Sequence, residues 1–305
     1  MEAFDVTILG CSSALPAFGR YPSSQLVQIA SRYFLVDCGE GTQMQIRRYS
    51  LKFQRINHIF ISHLHGDHYL GLPGLLSTMH LLGRTEDLHI YGDAGLNEIL
   101  EVNNKYSHSV LKYKIHFHPL DFKESKLLFE DDKVKISSIV LKHSINCCGF
   151  VFEEKARPRK LIKEKIEALK IPIAALEAIK WGEDYTYPEG TVTILNKDIT
   201  TDPMPPRKYA YCSDTTYNKD ILPQIQNADL IYHEATFMED MRERADQTMH
   251  STAKDAANIA KEANAKRLLV GHFSARYKDL SLLLDEAKSI FPATYLAQEG
   301  EKYYL

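Results

Sequence analysis

No apolar run in this chain approaches the ~20 residues needed to span a bilayer. The opening MEAFDVTILG sets Glu2 and Asp5 where a secretory leader wants Lys or Arg before an apolar block. The cysteines are few, odd in number and unpaired in pattern: Cys11, Cys38, Cys147, Cys148 and Cys212 form no CxxC motif. That argues against both a disulfide framework and a thiolate metal site, and leads us to expect a reduced, cytoplasmic protein. An excess of positive charge is also missing. With a net charge of −3, any affinity for nucleic acid must come from local basic patches. What remains is ordinary globular material, 305 residues of which 44% are hydrophobic, enough for one large core or two modest ones.

Short apolar runs dominate the pattern. FDVTILG, the pair in SSQLVQIASRYFLVDCGEG, INHIFIS, DLHIYGD, VKISSIVLKH, CGFVFEE, RKYAYCSD, DLIYHEA, RLLVGH and TYLAQEGEKYYL read as strands. HYLGLPGLLSTMHLLG, AGLNEILEVNNKY, KDILPQIQNA, TAKDAANIAKEANA and LSLLLDEAKSIF carry helical periodicity. Strands alternating with helices predict an α/β layered domain over 1–305, with no linker dividing it. One stretch breaks this grammar, 155–190. Its first half, Lys155 to Lys170, holds seven Lys or Arg against Glu164 and Glu167. An insertion of that length between strands is usually a functional loop or a mobile segment; a solvated helical hairpin is the plainer alternative.

The densest chemistry follows the strand INHIFIS, where His63, His65, Asp67 and His68 fall within six positions. Three more strands end in a metal-competent residue: SSIVLK leads to His143, YAYCS to Asp214 and LLVG to His272. Side chains at strand ends converge on one rim of a sheet, where α/β proteins commonly place their sites. His63 and His65, two apart, can face the same way on an extended loop, and Asp67 and His68 would open the next helix. Imidazole nitrogens and carboxylate oxygens without thiolate suit zinc, and also manganese or iron. Seven such groups exceed one tetrahedral ion and suggest two, the arrangement used for phosphate ester hydrolysis. Burying so many polar groups without partners would cost several kcal/mol each. The scattered His58, His80, His89, His108, His116 and His118 read instead as core or surface residues.

HLHGDH with His143, Asp214 and His272 downstream resembles the metallo-β-lactamase superfamily. That resemblance implies an αββα four-layer sandwich and two Zn2+ (or Mn2+) ions. His63, His65 and His143 would hold one ion, Asp67, His68 and His272 the other, and Asp214 would bridge them. Fold alone does not select a substrate. GLPGLL, HEAT (233–236), HST (250–252), HFSARY (272–277), LGCSSALPA and DCGEGTQMQ together resemble the ribonuclease Z family, endonucleases that remove the 3′ trailer from precursor tRNA. The likeness covers nearly the whole chain. It implies that 155–190 is a protruding arm gripping tRNA bound to the partner subunit of a homodimer, with Lys155, Arg157, Arg159, Lys160 and Lys163 as phosphate contacts. Where similar arms carry a Gly-Pro turn, this one has Ala174-Ala175. The expected partners are precursor tRNA and a second copy of the chain, with no membrane and no organic cofactor.

The resemblance also implies roles. A hydroxide between the ions would attack phosphorus, with Asp67 orienting or deprotonating it, and His250, kept protonated by Glu234, would give a proton to the leaving 3′ oxygen. Taken alone, Glu234 and His250 would pass for a helix-end pair. Arg276 is a candidate for a substrate phosphate or a surface ion pair. Arg47, Arg48, Lys52 and Arg55 could form a basic track, though singly they read better as solvated residues, and LGCSSALP could present N–H groups to a phosphate, though a tight turn alone explains it. Two rivals are weighed: a small-ester phosphodiesterase or arylsulfatase on the same scaffold, which leaves the basic insertion and the HEAT and HST segments idle, and a tRNA-binding or metal-storing protein without turnover, which needs neither the full ligand set nor a proton donor.

Overall fold

The computed structural model describes residues 2–108, 110–190 and 192–305. The apolar runs become strands where two faces are covered, and helices where the period lengthens. The first half contains β1 (Phe4–Gly10), β2 (Ser24–Ile29), β3 (Arg32–Val36), α1 (Thr42–Arg48), β4 (Ile56–Phe60), α2 (Gly66–Tyr69), α3 (Leu72–Leu81), β5 (Leu88–Gly92), α4 (Ala94–Tyr106) and β6 (Ile115–Pro119). β7 (Leu127–Glu130), β8 (Val134–Leu141) and β9 (Cys147–Glu154) follow. The insertion supplies β10 (Lys160–Leu161), α5 (Lys163–Ala168), α6 (Leu176–Lys180), β11 (Tyr185–Thr186), β12 (Thr193–Ile194), α7 (Asn196–Ile199) and β13 (Thr200–Thr201). The main fold resumes with β14 (Lys208–Cys212), α8 (Leu222–Ile225), β15 (Leu230–Glu234), α9 (Arg242–Thr248), α10 (Ala253–Glu262), β16 (Leu268–Gly271), α11 (Ser281–Lys288), β17 (Thr294–Leu296) and β18 (Lys302–Tyr304).

Two seven-stranded sheets form, in the orders β18-β1-β2-β3-β4-β5-β6 and β17-β16-β15-β14-β9-β8-β7. Their facing surfaces share one core, in which Phe34 meets Phe152 and Phe60 meets Phe150 at centroid distances of 5.7 and 5.3 Å. Helices cover the outer faces. Ile46 of α1 and Leu72, Leu75 and Met79 of α3 pack beneath the first sheet, and the alanines of α10 with Leu283 of α11 lie against the second. The architecture is therefore the αββα sandwich expected. Within it β3 to β6 run parallel, as do β14 to β17, so their carboxyl ends line up at common rims.

Three elements differ from the sequence reading. The helix expected across HYLGLPGLLSTMHLLG breaks at Gly71, whose backbone lies so near Gly39 that a Cβ would meet its carbonyl oxygen at 2.1 Å. KDILPQIQNA makes a tight turn and a one-turn helix rather than a longer one, because Pro223 can sit only at a helix start. TYLAQEGEKYYL is two strands belonging to different sheets, separated by a turn at Gly300 with φ 85°.

Two compact units are present, Met1–Glu153 with Arg207–Leu305, and Glu154–Pro206, the second containing the insertion expected over 155–190. The smaller has its own core of Ile166, Ile171, Ile179, Tyr185 and Ile199. It extends past 190 because β13 pairs with β10 and because Ile199 completes that core. Asn196 fastens it from within, its amide donating to the carbonyls of Ile179 and Glu183 at 2.6 and 2.8 Å. Ala174 and Ala175 lie in a single tight turn, Ile173–Ala175. Several of the basic residues already have acidic partners inside the unit. Arg157 pairs with Glu154, Arg159 with Asp202, and exposed Lys163 lies 3.8 Å from Glu167. Lys155 and Lys160 sit on the same segment, Lys160 exposed at the start of β10.

Candidate metal centre and active site

Parallel strands deliver the polar residues to one rim. β4 runs through Ile61 and Ser62 into His63; β14 leads to Asp214; β15 ends in Glu234; β16 ends one residue before His272. The register sets Cys212 beside His233 and Glu234 beside Gly271, so the three strand ends emerge side by side. β8 adds His143 from the same sheet, and the turn at α2 returns Asp67 and His68 toward the rim.

All seven residues expected as ligands converge there. In one group His65 Nδ1 lies 3.1 Å from both His63 Nε2 and His143 Nε2, with Asp214 Oδ2 at 3.6 and 3.8 Å from the latter two. In the other, Asp67 Oδ2 is 3.4 Å from His68 Nε2 and 3.2 Å from His272 Nε2, and Asp214 Oδ1 is 3.5 and 3.3 Å from the same nitrogens. The two oxygens of Asp214 thus face different groups. The donor atoms of His63, His65, His143 and Asp214 lie within 4.8 Å of one another, as do those of Asp67, His68 and His272 and those of Asp214, His250 and His272.

Metal ions suit this donor set on two grounds. His68 Nε2 and Asp214 Oδ1 are buried and aimed inward with no hydrogen-bond partner among the described residues, a costly arrangement unless a cation sits between them. The outward nitrogens are also fixed as donors. His68 Nδ1–H donates to Asp37 at 2.8 Å, His143 Nδ1–H to the Met249 carbonyl at 3.0 Å, and His272 Nδ1–H to Thr236 Oγ1 at 2.8 Å. This leaves each Nε2 lone pair facing the cluster, the usual support of a ligating imidazole. Electrostatics agree. Burial and the surrounding imidazoles push His63 well below its ordinary value, keeping it neutral. Burial opposes charge on His68, yet Asp214, Asp67 and Asp37 together raise it well above its ordinary value, so the site favours positive charge at that point. The site is a metal site.

Glu234 and His250 stand beside the cluster. Glu234 is fully buried and accepts from the backbone N–H of Thr215 and Thr236 at 3.0 and 3.1 Å, and from the Thr236 hydroxyl at 2.6 Å. It also accepts from His250 Nδ1 at 2.8 Å. Burial opposes charge on His250, but Glu234, with Asp214 and Asp67 behind it, raises its pKa to about 9. The Glu234 carboxyl, which burial would raise, is held low chiefly by His250. The HST segment has a structural reason as well. Ser251 donates to the Thr215 carbonyl at 2.6 Å, and Thr252 caps α10 in a reciprocal box with Asp255.

A cavity of about 700 Å³ opens over these groups, lined among others by Leu15, Leu70, Phe237, Arg244 and Arg276. Arg276 is thus exposed at the mouth of the cavity that holds the cluster. Arg47, Arg48, Lys52 and Arg55, read either as a basic track or as solvated residues, are absent from the lining. Arg55 precedes β4 at the end away from His63 and binds the Ser31 carbonyl at 3.0 Å. Ser13, Ala14, Leu15 and Pro16 of the LGCSSALP turn do border the cavity.

Sequence reading missed Asp37. Its carboxylate accepts from Ser62 N–H at 2.7 Å, Ser62 Oγ at 2.9 Å, His68 Nδ1 at 2.8 Å and Tyr211 Oη at 2.6 Å. Its backbone is left-handed, φ 56°, as are those of Met249 (54°) and His272 (58°). Three non-glycine residues in this conformation, each costing on the order of 1 kcal/mol, border one site. A polar residue directly after a buried strand was the available signal.

The fold and the site define a metal-dependent hydrolase of the metallo-β-lactamase fold. YhfI of Bacillus subtilis, a protein of that fold, superposes with a TM-score of 0.70 over 100% of both chains at 20% identity, a likeness of fold alone. A family profile described as Anti-Pycsar protein Apyc1 matches residues 4–156, a span that includes His63 to His143 but stops short of Asp214. Closer relatives cover the rest. Ribonuclease Z of Bacteroides fragilis is 50% identical over 98% of both chains, and that of Bacteroides thetaiotaomicron 51% identical over 98% of this chain and 95% of its own. The human tRNase Z short form superposes with a TM-score of 0.72 at 28% identity over 98% of each chain. The chain belongs to the ribonuclease Z family, a family of endoribonucleases that hydrolyse phosphodiesters with metal.

Proposed function

We propose that this protein cuts precursor tRNA immediately 3′ of the discriminator nucleotide, leaving a tRNA 3′-OH and a trailer with a 5′-phosphate. The observation that carries the reading is Asp214, whose two oxygens each face a separate His/Asp group beside the Glu234–His250 pair. His63, His65, His143 and Asp214 would hold one zinc ion and Asp67, His68, His272 and Asp214 a second, with manganese able to use the same donors. Such ions, when bound, make water acidic enough to serve as a nucleophile near neutral pH and offset the charge of the phosphate.

The chain's own groups do the rest. Asp67 borders the cavity and orients the attacking water, accepting its proton. His250, its Nδ1 held by Glu234, keeps Nε2 for the departing 3′ oxygen and supplies the proton that oxygen needs. Glu234 is a positioning residue that fixes the imidazole and keeps it charged. Arg276 holds a substrate phosphate. The Glu154–Pro206 unit grips tRNA through its basic stretch Lys155 to Lys170, reaching the substrate of a second subunit in a homodimer. All five cysteines are buried and free, which accords with a cytoplasmic enzyme.

Incubation with a 3′-extended tRNA and with bis(p-nitrophenyl) phosphate, each with and without chelator, tests the reading. Chelator-sensitive release of an intact trailer supports it. Turnover of the small ester alone points to a small-molecule phosphodiesterase, and binding without cleavage to a tRNA-binding protein.

A further inference from the structure

Two arginines close together in sequence have opposite circumstances. Arg242 is locked, donating to Asp255 and Glu239 at 2.6 to 3.2 Å and to Thr252 at 3.0 Å. Arg244, on the same helix, is exposed, lines the cavity, and is in no ion pair among the described residues. Arg276 is likewise exposed, cavity-lining and without an ion pair among them. Free guanidinium groups facing a catalytic cavity are suited to bidentate capture of phosphate.

Their attachments differ in a way that assigns direction. The carbonyl of Ala245, next to Arg244, accepts the backbone N–H of His250 at 2.9 Å, and the carbonyl of Arg244 accepts the Thr248 hydroxyl at 2.8 Å. The helix end that carries Arg244 is thus joined directly to the backbone of His250. Arg276 is joined to the centre less selectively: its N–H donates to Ser274 Oγ at 3.3 Å, and Ser274 N–H to the carbonyl of Thr236, whose hydroxyl accepts from His272 and donates to Glu234. On the reading above, His250 serves the leaving 3′ oxygen. That oxygen belongs to the last nucleotide kept by the tRNA, and the same nucleotide carries its own 5′-phosphate.

We propose that Arg244 binds the backbone phosphate on the tRNA side of the scissile bond, one phosphate upstream of the cut. The assignment rests on the reading of His250 as donor. It makes Arg244 a register-setting contact, and it requires a polynucleotide rather than a small ester to be felt.

Arg244→Gln and Arg244→Lys, as metal-loaded full-length protein, should be compared with wild type on precursors carrying one-nucleotide and longer trailers. Since Arg244 is exposed, the variants should fold, and matching thermal melts check this. For Gln, KM should rise about tenfold with kcat nearly kept, the loss of one charge-assisted phosphate contact. The salt dependence of binding should lose about one unit of slope. The KM penalty should be the same for both trailer lengths, and Lys should recover part of it. An unchanged KM, or a penalty that vanishes with the one-nucleotide trailer, overturns the assignment while leaving the function intact. A wild-type chain that leaves the precursor uncut removes the function and the assignment together.

Discussion

His250 and Asp37 show how single residues act here without sharing a role. His250 touches the cavity and is held by Glu234, so His250→Ala should lower kcat by about 10²–10⁴-fold, the usual span for a lost general acid. Metal content, read by elemental analysis, should stay at the wild-type level. A drop in metal would make His250 a ligand instead. Asp67→Ala should abolish cleavage while tRNA binding, read by filter retention, stays within a few-fold; retained turnover would remove its role. Asp37 never reaches the cavity. Asp37→Asn keeps the shape but weakens the grip on His68 Nδ1, and metal affinity should fall about 10–100-fold, as for other residues that orient a ligating histidine. The dense HxHxDH run was legible because so many ligating groups seldom occur together for packing. Asp37 was not, because its partner Tyr211 is 174 residues away and only the folded sheets bring them together.

Elements carry their own tests. α10 begins at Thr252, whose hydroxyl accepts from Asp255 N–H while Asp255 accepts from Thr252 N–H. Thr252→Ala should cost about 1 kcal/mol, measured by denaturant unfolding. Across β4, β5 and β6 the register stacks His58, His89 and His116, with centroids 4.9 Å apart at each step, and His118 lies beside His89. Burial first, then the neighbouring imidazoles of His89 and His118, lower the His58 pKa from 6.5 to about 4. The unfolded chain therefore binds more protons between those values. Stability from this ladder is complete above pH 6.5 and is lost as pH falls toward 4. Urea midpoints at pH 7 and pH 5 should show the fall, and His58→Gln should flatten it. These histidines were read as core or surface residues, and their stacking became visible only with the strand register. The insertion was legible as an insertion, from its length and charge. Its end was not, because β13 and Ile199 join it through contacts that no local pattern announces.

For the whole molecule, two sheets place residues from positions 63 to 272 at one rim, and the Glu154–Pro206 segment forms a second compact unit. Replacing Glu154–Pro206 by a short loop should raise KM for precursor tRNA while bis(p-nitrophenyl) phosphate is still hydrolysed. Equal loss on both substrates would make the unit a structural support. Alternation of strands and helices made the layered class readable from the chain, and the metal motif made the rim readable. The bounds of the second unit depend on which strands pair and were not. The central claim is that the rim holds two ions that act together on a phosphodiester. Its most direct test is the metal content of purified, active protein, followed through stepwise chelation while trailer cleavage is assayed in parallel. The account requires about two ions per chain and a loss of cleavage that tracks their removal; a fully active chain with one ion or none would contradict it.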